Sequence, residues 1–379
     1  MGVRSQVQGR EFLQSVRRIV VKVGSAVLTD QDGLDIDVIG DLCSQIASLR
    51  NGNTEVTLVS SGAVAAGMGK LPELPRPKTV PEKQALAAVG QGRLVQAYEE
   101  AFDRYGIHVA QVLLTREGLV SRHSYLNAKN TLKTLLQWDI VPIVNENDTV
   151  ATEELQFTDN DALAVLIVNL VEAEVLICLS DVDGLYDRDP RENPNARRVP
   201  EVLNVDKSVI DLAGDNMGRA GRGGMKSKLE AARMVTACGV PMVVAKGRTN
   251  QVLTRLFSGE DLGTLFCVRE RRSIYGRKSW IAMTLARKGI IEIDDGAVKA
   301  MVENGKSLLP VGIRKVEDDF EAGDCVVCRD SSGNEIAVGI SNYGSPDLCK
   351  IRGCQTSEVF KKIGHYGGEV IHRDNMVIL

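Results

Sequence analysis

The chain has 379 residues, of which 44% are hydrophobic and 25% charged, and its formal net charge is −4. That balance is ordinary for folded domains; it excludes a disordered chain and gives no global attraction for nucleic acid or an anionic membrane. The length suits two or three domains with cores of their own, and no apolar run approaches the length of a membrane span.

In chain order, Met1 to Arg18 is polar, carries Arg4, Arg10, Arg17 and Arg18, and has no apolar stretch, so it does not read as a secretory signal. Glu11 and the immediate entry into a strand argue against a transit peptide, and the expected location is cytoplasmic. From residue 19 to about 250, short β-branched runs alternate with helical patterns. The runs are Ile19–Val23, Glu55–Ser60, His108–Leu114, Ile140–Val144, Val175–Leu179 and Pro241–Ala245. Between them lie Ile36–Arg50, Glu82–Tyr105, Ser124–Trp138, Ala162–Leu170 and Met225–Cys238, which read as helices. Strands apolar throughout and separated by helices imply an α/β fold whose mostly parallel sheet is covered on both faces. Ligands of such sheets bind beyond the carboxyl ends of the strands. Polar clusters stand at those ends: Gly24-Ser25, Ser60-Ser61-Gly62, Asn145-Glu146-Asn147-Asp148 and Ser180-Asp181.

The rhythm changes near residue 267. Cys267 to Lys288 holds seven basic residues and one acidic residue, and reads as a linker. From Gly289 the pattern is strands and turns, at Ile290–Ile293, Cys325–Cys328, Ile336–Ile340, Val370–Ile371 and Met376–Ile378, with helical stretches at Ala297–Asn304 and Ser357–Ile363. This predicts a small β-barrel-like second domain. The expected division is 15–266, a linker at 267–288, and 289–379.

Two glycine-rich turns carry the chemistry. Val20-Val21-Lys22-Val23-Gly24-Ser25 breaks from a strand into a turn just after a lysine. Gly221-Arg222-Gly223-Gly224-Met225-Lys226-Ser227-Lys228 runs from a loop into a helix. Glycine amides and ammonium groups suit a polyphosphate, and two lysines from distant parts of the chain suit phosphoryl transfer. Neither turn is a Walker A loop. The eight cysteines sit mostly in apolar contexts and read as reduced, buried thiols. Cys325-x-x-Cys328, with Cys349 and Cys354 downstream, has a zinc reading, but Val326-Val327 places the pair in a strand, and the core-strand reading is preferred. The histidines, His108, His123, His365 and His372, stand outside the strand-end clusters and read as structural or solvated.

Taken together, the motifs resemble the amino acid kinase family, and within it the glutamate 5-kinases. The resemblance rests on Val21-Lys22-Val23-Gly24-Ser25, Val59-Ser60-Ser61-Gly62-Ala63, Asn145-Glu146-Asn147-Asp148, Thr158-Asp159-Asn160-Asp161, Ser180-Asp181-Val182-Asp183-Gly184-Leu185-Tyr186 and Gly223-Gly224-Met225-x-x-Lys228, in the family's order and spacing. The C-terminal region resembles a PUA domain. The resemblance implies a three-layer αβα sandwich followed by a PUA barrel, and ATP-dependent phosphorylation of the L-glutamate side-chain carboxylate, the first step toward proline. It implies that Lys22 holds phosphoryl oxygens, that Lys228 meets the leaving phosphate, and that Asp161 organises both lysines. Gly24, Gly223 and Gly224 would offer amides to the same oxygens. Ser61, Asp148 and Asn160 would hold glutamate, with Asp148 facing the α-ammonium and Asn160 the α-carboxylate region. Ser180, Asp181, Arg222, Met225, Lys226 and Ser227 would line the nucleotide, although Lys226, two residues before Lys228, is expected to face away. Magnesium would come with ATP, and no carboxylate is assigned to it. Proline as feedback inhibitor and a dimeric or tetrameric assembly are also implied. Glutamate is anionic at neutral pH, so no general base is needed.

One residue departs from the family pattern: Arg222 stands where a threonine is usual. Two other readings compete. One is another amino acid kinase, acting on acetylglutamate, aspartate or a nucleotide monophosphate; the N-E-N-D and D-N-D segments argue against it. The other is an RNA-binding PUA protein. Residues 289–379 carry 10 Lys and Arg against 15 Asp and Glu, a formal charge of −5, which lacks the electrostatic footprint of RNA binding.

Overall fold

The computed structural model describes residues 9–30, 33–115, 119, 122–151, 160–190, 192–212, 224–268, 287–364 and 368–379. Thr158, Asp159, Gly221, Arg222, Gly223 and most of the basic stretch expected as a linker lie outside the described residues. The chain divides into two compact units, Met1–Ser273 and Ile274–Leu379.

In the first unit the strands are β1 (Arg18–Val23), β2 (Glu55–Ser60), β3 (Val109–Leu114), β4 (Val141–Glu146), β5 (Val175–Ser180), β6 (Glu201–Val202), β7 (Met242–Lys246) and β8 (Thr264–Phe266). The helices are α1 (Ser25–Leu28), α2 (Ile36–Asn51), α3 (Ala63–Lys70), α4 (Val80–Asp103), α5 (Arg122–Gln137), α6 (Asn160–Val171), α7 (Lys207–Asp211), α8 (Met225–Ala237) and α9 (Val252–Phe257). The eight strands form one sheet in the order β3-β4-β2-β1-β5-β7-β8-β6. All pairs are parallel except β7 with β8, which run antiparallel. The chain moves from β1 to β2 on one side and later places β5 on the other, so the sheet reverses direction at β1. Crevices form beyond the strand ends at such a point.

β1, β2, β4 and β5 are buried along nearly their whole length, as strands covered on both faces must be. Alternation still divides their side chains. Ile19, Val21 and Val23 join the cluster that also holds Ile39, Leu42, Ile46, Leu94 and Phe102 from α2 and α4. Lys22 points to the other face, towards α6, which supplies its partner. Helix α6 is itself buried over almost its full length, so its first-turn polar residues are fixed by a core element and not by a loop.

Helix α4 starts two residues earlier than its apolar pattern predicts. Thr79 accepts from the Glu82 amide while the Glu82 carboxylate accepts from the Thr79 amide, a reciprocal cap that fixes Val80 as the first helical residue. Helix α3 has no counterpart in the sequence expectation. Its two glycines weaken the helical signal, and Gly67 instead serves close packing against α4.

The second unit is a five-stranded mixed sheet in the order β10-β9-β11-β12-β13, formed by β9 (Arg287–Ile293), β10 (Ile313–Glu317), β11 (Cys325–Arg329), β12 (Glu335–Ile340) and β13 (Met376–Ile378). β9 and β11 are parallel and the other pairs antiparallel. Helices α10 (Asp295–Val302), α11 (Ser345–Ile351) and α12 (Val359–Ile363) contribute to its own apolar cluster, which includes Ile291, Met301, Val326, Leu348, Val359 and Ile371. Cys325 and Cys328 are buried strand residues, and burial pushes both thiols up to about 12. The strand expected at Val370–Ile371 is a single bridge from Ile371 to Leu308.

Candidate active site

Lys22 is the fifth residue of β1, paired in register with Val59 of β2 and Cys178 of β5. Its ammonium bonds to Oδ1 of Asp161, the second residue of α6. Lys228, in the first turns of α8, reaches the other oxygen, with Nζ 3.2 Å from Asp161 Oδ2. All three side chains are buried: Lys22 and Lys228 are 4% exposed and Asp161 1%. Two neutral donors join the cluster. The Ser227 hydroxyl donates to Asp161 Oδ2 at 3.0 Å, and the Cys178 thiol to Oδ1 at 3.4 Å. Burial alone would raise the Asp161 pKa, but the ammoniums of Lys22 and Lys228 hold its carboxyl well below the usual carboxylate range. Its place in the first turn of α6 adds the favourable end of the helix dipole. Burial pushes the Cys178 thiol up to about 12, so it stands as a neutral donor. Two ammoniums from different parts of the chain thus share one ionised carboxylate at the strand ends.

A second cluster lies beside the first. Asn160 opens α6, and its Nδ2 reaches Asn145 Oδ1 at 2.8 Å, Ser61 Oγ at 2.9 Å and the Ser60 carbonyl at 3.2 Å. Asn145, near the end of β4, also accepts from the Glu146 amide at 2.9 Å and donates to Gln91 Oε1 of α4 at 2.8 Å. Ser60 is anchored from below by the Tyr98 hydroxyl at 3.0 Å. Asp148 sits half-buried in the turn that follows β4. That turn is held by the Asn147 carbonyl, which accepts from the amides of Val150 and Ala151, and by Gln84, which reaches the Ala151 carbonyl at 3.0 Å.

On the other side of β1, Ser180 ends β5 and donates to Asp181 Oδ1 at 2.9 Å. Asp181 and Val182 follow the strand as a bend. Gly224 caps α8 with extended backbone and Met225 is its first residue. Lys226 is exposed and is not part of the Asp161 cluster. The Gly24 amide donates to the Leu179 carbonyl at 3.0 Å, tying the turn to β5. For that amide to meet a phosphate, this bond would have to be shared or broken. Arg222 and Gly223 lie outside the described residues.

Sequence reasoning missed Gln91, Cys178 and the bridging role of Asn145. The visible signals were slight: an asparagine ending an apolar strand, and a glutamine between Gly90 and Gly92.

The model of the amino acid kinase family matches residues 17–246. The chain belongs to the amino acid kinase family. A PUA domain model matches residues 289–363. Among curated relatives of this amino acid kinase, glutamate 5-kinase of Thermoanaerobacter sp. (strain X514) is 48% identical over 364 residues, covering 96% of this chain and 98% of the relative. Glutamate 5-kinase of Chromohalobacter salexigens is 48% identical over 377 residues, covering 99% of each. Among solved structures, carbamate kinase from Giardia lamblia bound to AMP-PNP aligns with a TM-score of 0.50 at 16% identity, over 67% of this chain and 99% of that one, a likeness of fold. The chain is thus a kinase of the αβα amino acid kinase fold with a PUA domain.

Among the described residues, no group of three or more His, Cys, Asp or Glu side chains is placed to hold a metal ion. No described helix is long and apolar enough to cross a membrane.

Proposed function

We propose that the chain transfers the γ-phosphoryl group of ATP to the side-chain carboxylate of L-glutamate, giving L-glutamyl 5-phosphate, the first committed intermediate toward proline. The observation that carries this reading is the sharing of one buried carboxylate by Lys22 and Lys228 at the carboxyl ends of β1 and β5. The full-length similarity to glutamate 5-kinases supports it.

A carboxylate is already ionised at neutral pH, so no proton need be removed from the nucleophile. One glutamate side-chain oxygen attacks the γ-phosphorus while the bond from that phosphorus to the bridging β,γ-oxygen breaks. The electron pair leaves with ADP. The obstacles are bringing two anions together and stabilising the charge that spreads over the moving group. Lys22, at the end of β1, neutralises the transferred oxygens. Lys228, on α8, meets charge developing on the leaving phosphate. Asp161 fixes both ammoniums before substrate arrives, so little reorganisation remains for the reaction. The Gly224–Met225 start of α8 offers helix-terminal amides to the nucleotide phosphates. Ser180 and Asp181, with Arg222 and Gly223, belong to the nucleotide side.

Ser61, Asp148 and Asn160 hold the α-amino-acid end of glutamate. Magnesium is a hard cation that commonly arrives on nucleotide phosphates with one or two protein carboxylates. Asp161 is engaged by two lysines, and the described residues offer no cage of acidic groups. Magnesium would come with ATP, held mainly by the nucleotide phosphates. Feedback by proline, which shares the α-amino acid end, fits a site overlapping glutamate, in a cytoplasmic homo-oligomer. The kinase domain is assigned to 15–266, the linker to 267–288 and the PUA domain to 289–379.

The test is hydroxylamine trapping of the acyl phosphate with L-glutamate, N-acetylglutamate and L-aspartate in parallel. A clear preference for L-glutamate is expected. Preference for either alternative, or no ATP-dependent hydroxamate, would replace the reading.

A further inference from the structure

We infer that Asn145 and Gln91, neither assigned to substrate, are positioning residues that fix which atoms Asn160 and Ser61 present to it. The inference rests on the glutamate reading and deepens it. It begins with hydrogen-bond direction. The Glu146 main-chain amide can only donate, and it donates to Asn145 Oδ1. That contact fixes the orientation of the Asn145 carboxamide, so its Nδ2 must point at Gln91 Oε1, which accepts it. Asn145 Oδ1 then has room for a second donor, and Asn160 Nδ2 fills it. The same Nδ2 reaches Ser61 Oγ. An amide nitrogen has two hydrogens, and here three protein acceptors share them: Asn145 Oδ1, Ser61 Oγ and, at the longer distance of 3.2 Å, the Ser60 carbonyl.

Two consequences follow at the substrate side. With both hydrogens spent on protein, what Asn160 has left to present is its carbonyl oxygen, an acceptor. Ser61 Oγ, already accepting from Asn160, presents its hydrogen. An acceptor beside a donor matches an ammonium beside a carboxylate, the α-carbon substituents of a free amino acid. Asn160 therefore faces the α-ammonium, together with Asp148, and Ser61 faces the α-carboxylate. The resemblance placed Asn160 at the α-carboxylate region; this reading moves it to the ammonium, because its donors point inward. The polarity of this end of the site is set by a main-chain amide and passed on through Asn145, while Gln91 holds the other end of that carboxamide.

The test compares L-glutamate with glutarate, which has both carboxylates and no ammonium, using the full chain and hydroxylamine trapping. In Asn145→Leu the fixed orientation of Asn160 is lost. The expected result is a rise of about tenfold or more in the glutamate KM, the size of one charged hydrogen bond. The glutarate KM and the ATP KM should stay within about twofold, so the preference for glutamate shrinks by the same factor. Gln91→Met removes the acceptor for Asn145 Nδ2 and should shift the preference in the same direction by about threefold. Gln91→Glu keeps an acceptor there. Its added negative charge favours the ammonium that glutarate lacks, so the ratio should return to the wild-type value or rise above it. If Asn145→Leu does not fold, the two Gln91 variants decide. An unchanged glutamate-to-glutarate ratio in folded Asn145→Leu or in Gln91→Met would overturn the inference. So would a parallel loss in kcat and ATP affinity, which marks a merely structural role. Failure of the wild-type chain to phosphorylate glutamate would instead overturn the functional reading on which the inference rests.

Discussion

Asp161 carries a double load at the residue scale, because two ammoniums depend on its carboxylate. In Asp161→Asn two buried positive charges lose it, and removal of one partner from a buried pair costs about 3–5 kcal/mol. A clearly lowered Tm together with a large loss in kcat is expected from a thermal melt and a steady-state assay. The pH dependence has a definite sign. The folded-state pKa of Asp161 is depressed, so its stabilisation is present above the ordinary carboxylate range and is lost as pH falls below about 4 toward the folded value. The stability gap between wild type and Asp161→Asn should be constant near neutrality and narrow in acid; a gap that widens in acid would contradict the ion-pair geometry. Lys22→Ala and Lys228→Ala should each lower kcat by about 100-fold or more, as loss of a charge-stabilising donor does, with a smaller change in the glutamate KM. A few-fold loss for both would remove them from the phosphoryl path. Asp148→Asn should act oppositely, raising the glutamate KM by about tenfold while sparing ATP. The lysines and Asp161 were legible in the sequence because each stands in a local motif at a strand end or helix start. Cys178 and Gln91 were not. Their contacts join residues 17 and 54 positions apart, and a cysteine in an apolar strand or a glutamine on a helix has no local signature of its partner.

Among the elements, α3 and α4 couple packing to the substrate side. Helix α3 starts two residues after Ser61, at a left-handed Gly62 with φ of 111°. It lies so close to α4 that a Cβ on Gly90 would fall 1.9 Å from the Ala63 carbonyl oxygen, and one on Gly67 2.1 Å from that of Leu86. Gly90→Ala must therefore separate the helices, at about 1–3 kcal/mol or more for overpacking. Gln91, which bonds Asn145, directly follows Gly90 on α4, so the same shift should raise the glutamate KM. A melt and a glutamate titration check this, and an unchanged Tm would contradict the close approach. The central strands were legible within one or two residues, since fully buried parallel strands are continuous apolar runs. β10 was missed because its Ile-Arg-Lys-Val-Glu sequence is half exposed and highly charged. β8 and its reversed direction were both missed, because a run of three residues carries no mark of either.

The whole molecule comprises two units with separate apolar clusters. Both lysines, Asp161 and the residues proposed to hold glutamate, Ser61, Asp148 and Asn160, belong to the first. Residues 1–270 should therefore purify as a folded kinase with measurable glutamate phosphorylation, because the eight-stranded sheet and its helices bury a core of their own. A circular dichroism melt with the hydroxamate assay checks it; an insoluble fragment, or a folded one without activity, would show that the second unit completes the active fold. The change from helix–strand alternation to strands and turns was legible in the sequence. The composition of neither part revealed how Asn145 of β4 links α4 and α6 through Gln91 and Asn160. The most direct measurement uses L-glutamate carrying heavy oxygen in its side-chain carboxylate, with ATP and hydroxylamine. Attack by that carboxylate places a heavy oxygen in the bridge to phosphorus, and hydroxylaminolysis then releases phosphate bearing the label. Labelled phosphate formed together with glutamyl hydroxamate is the expected result. Unlabelled phosphate, or no hydroxamate, would contradict phosphorylation of the glutamate side chain.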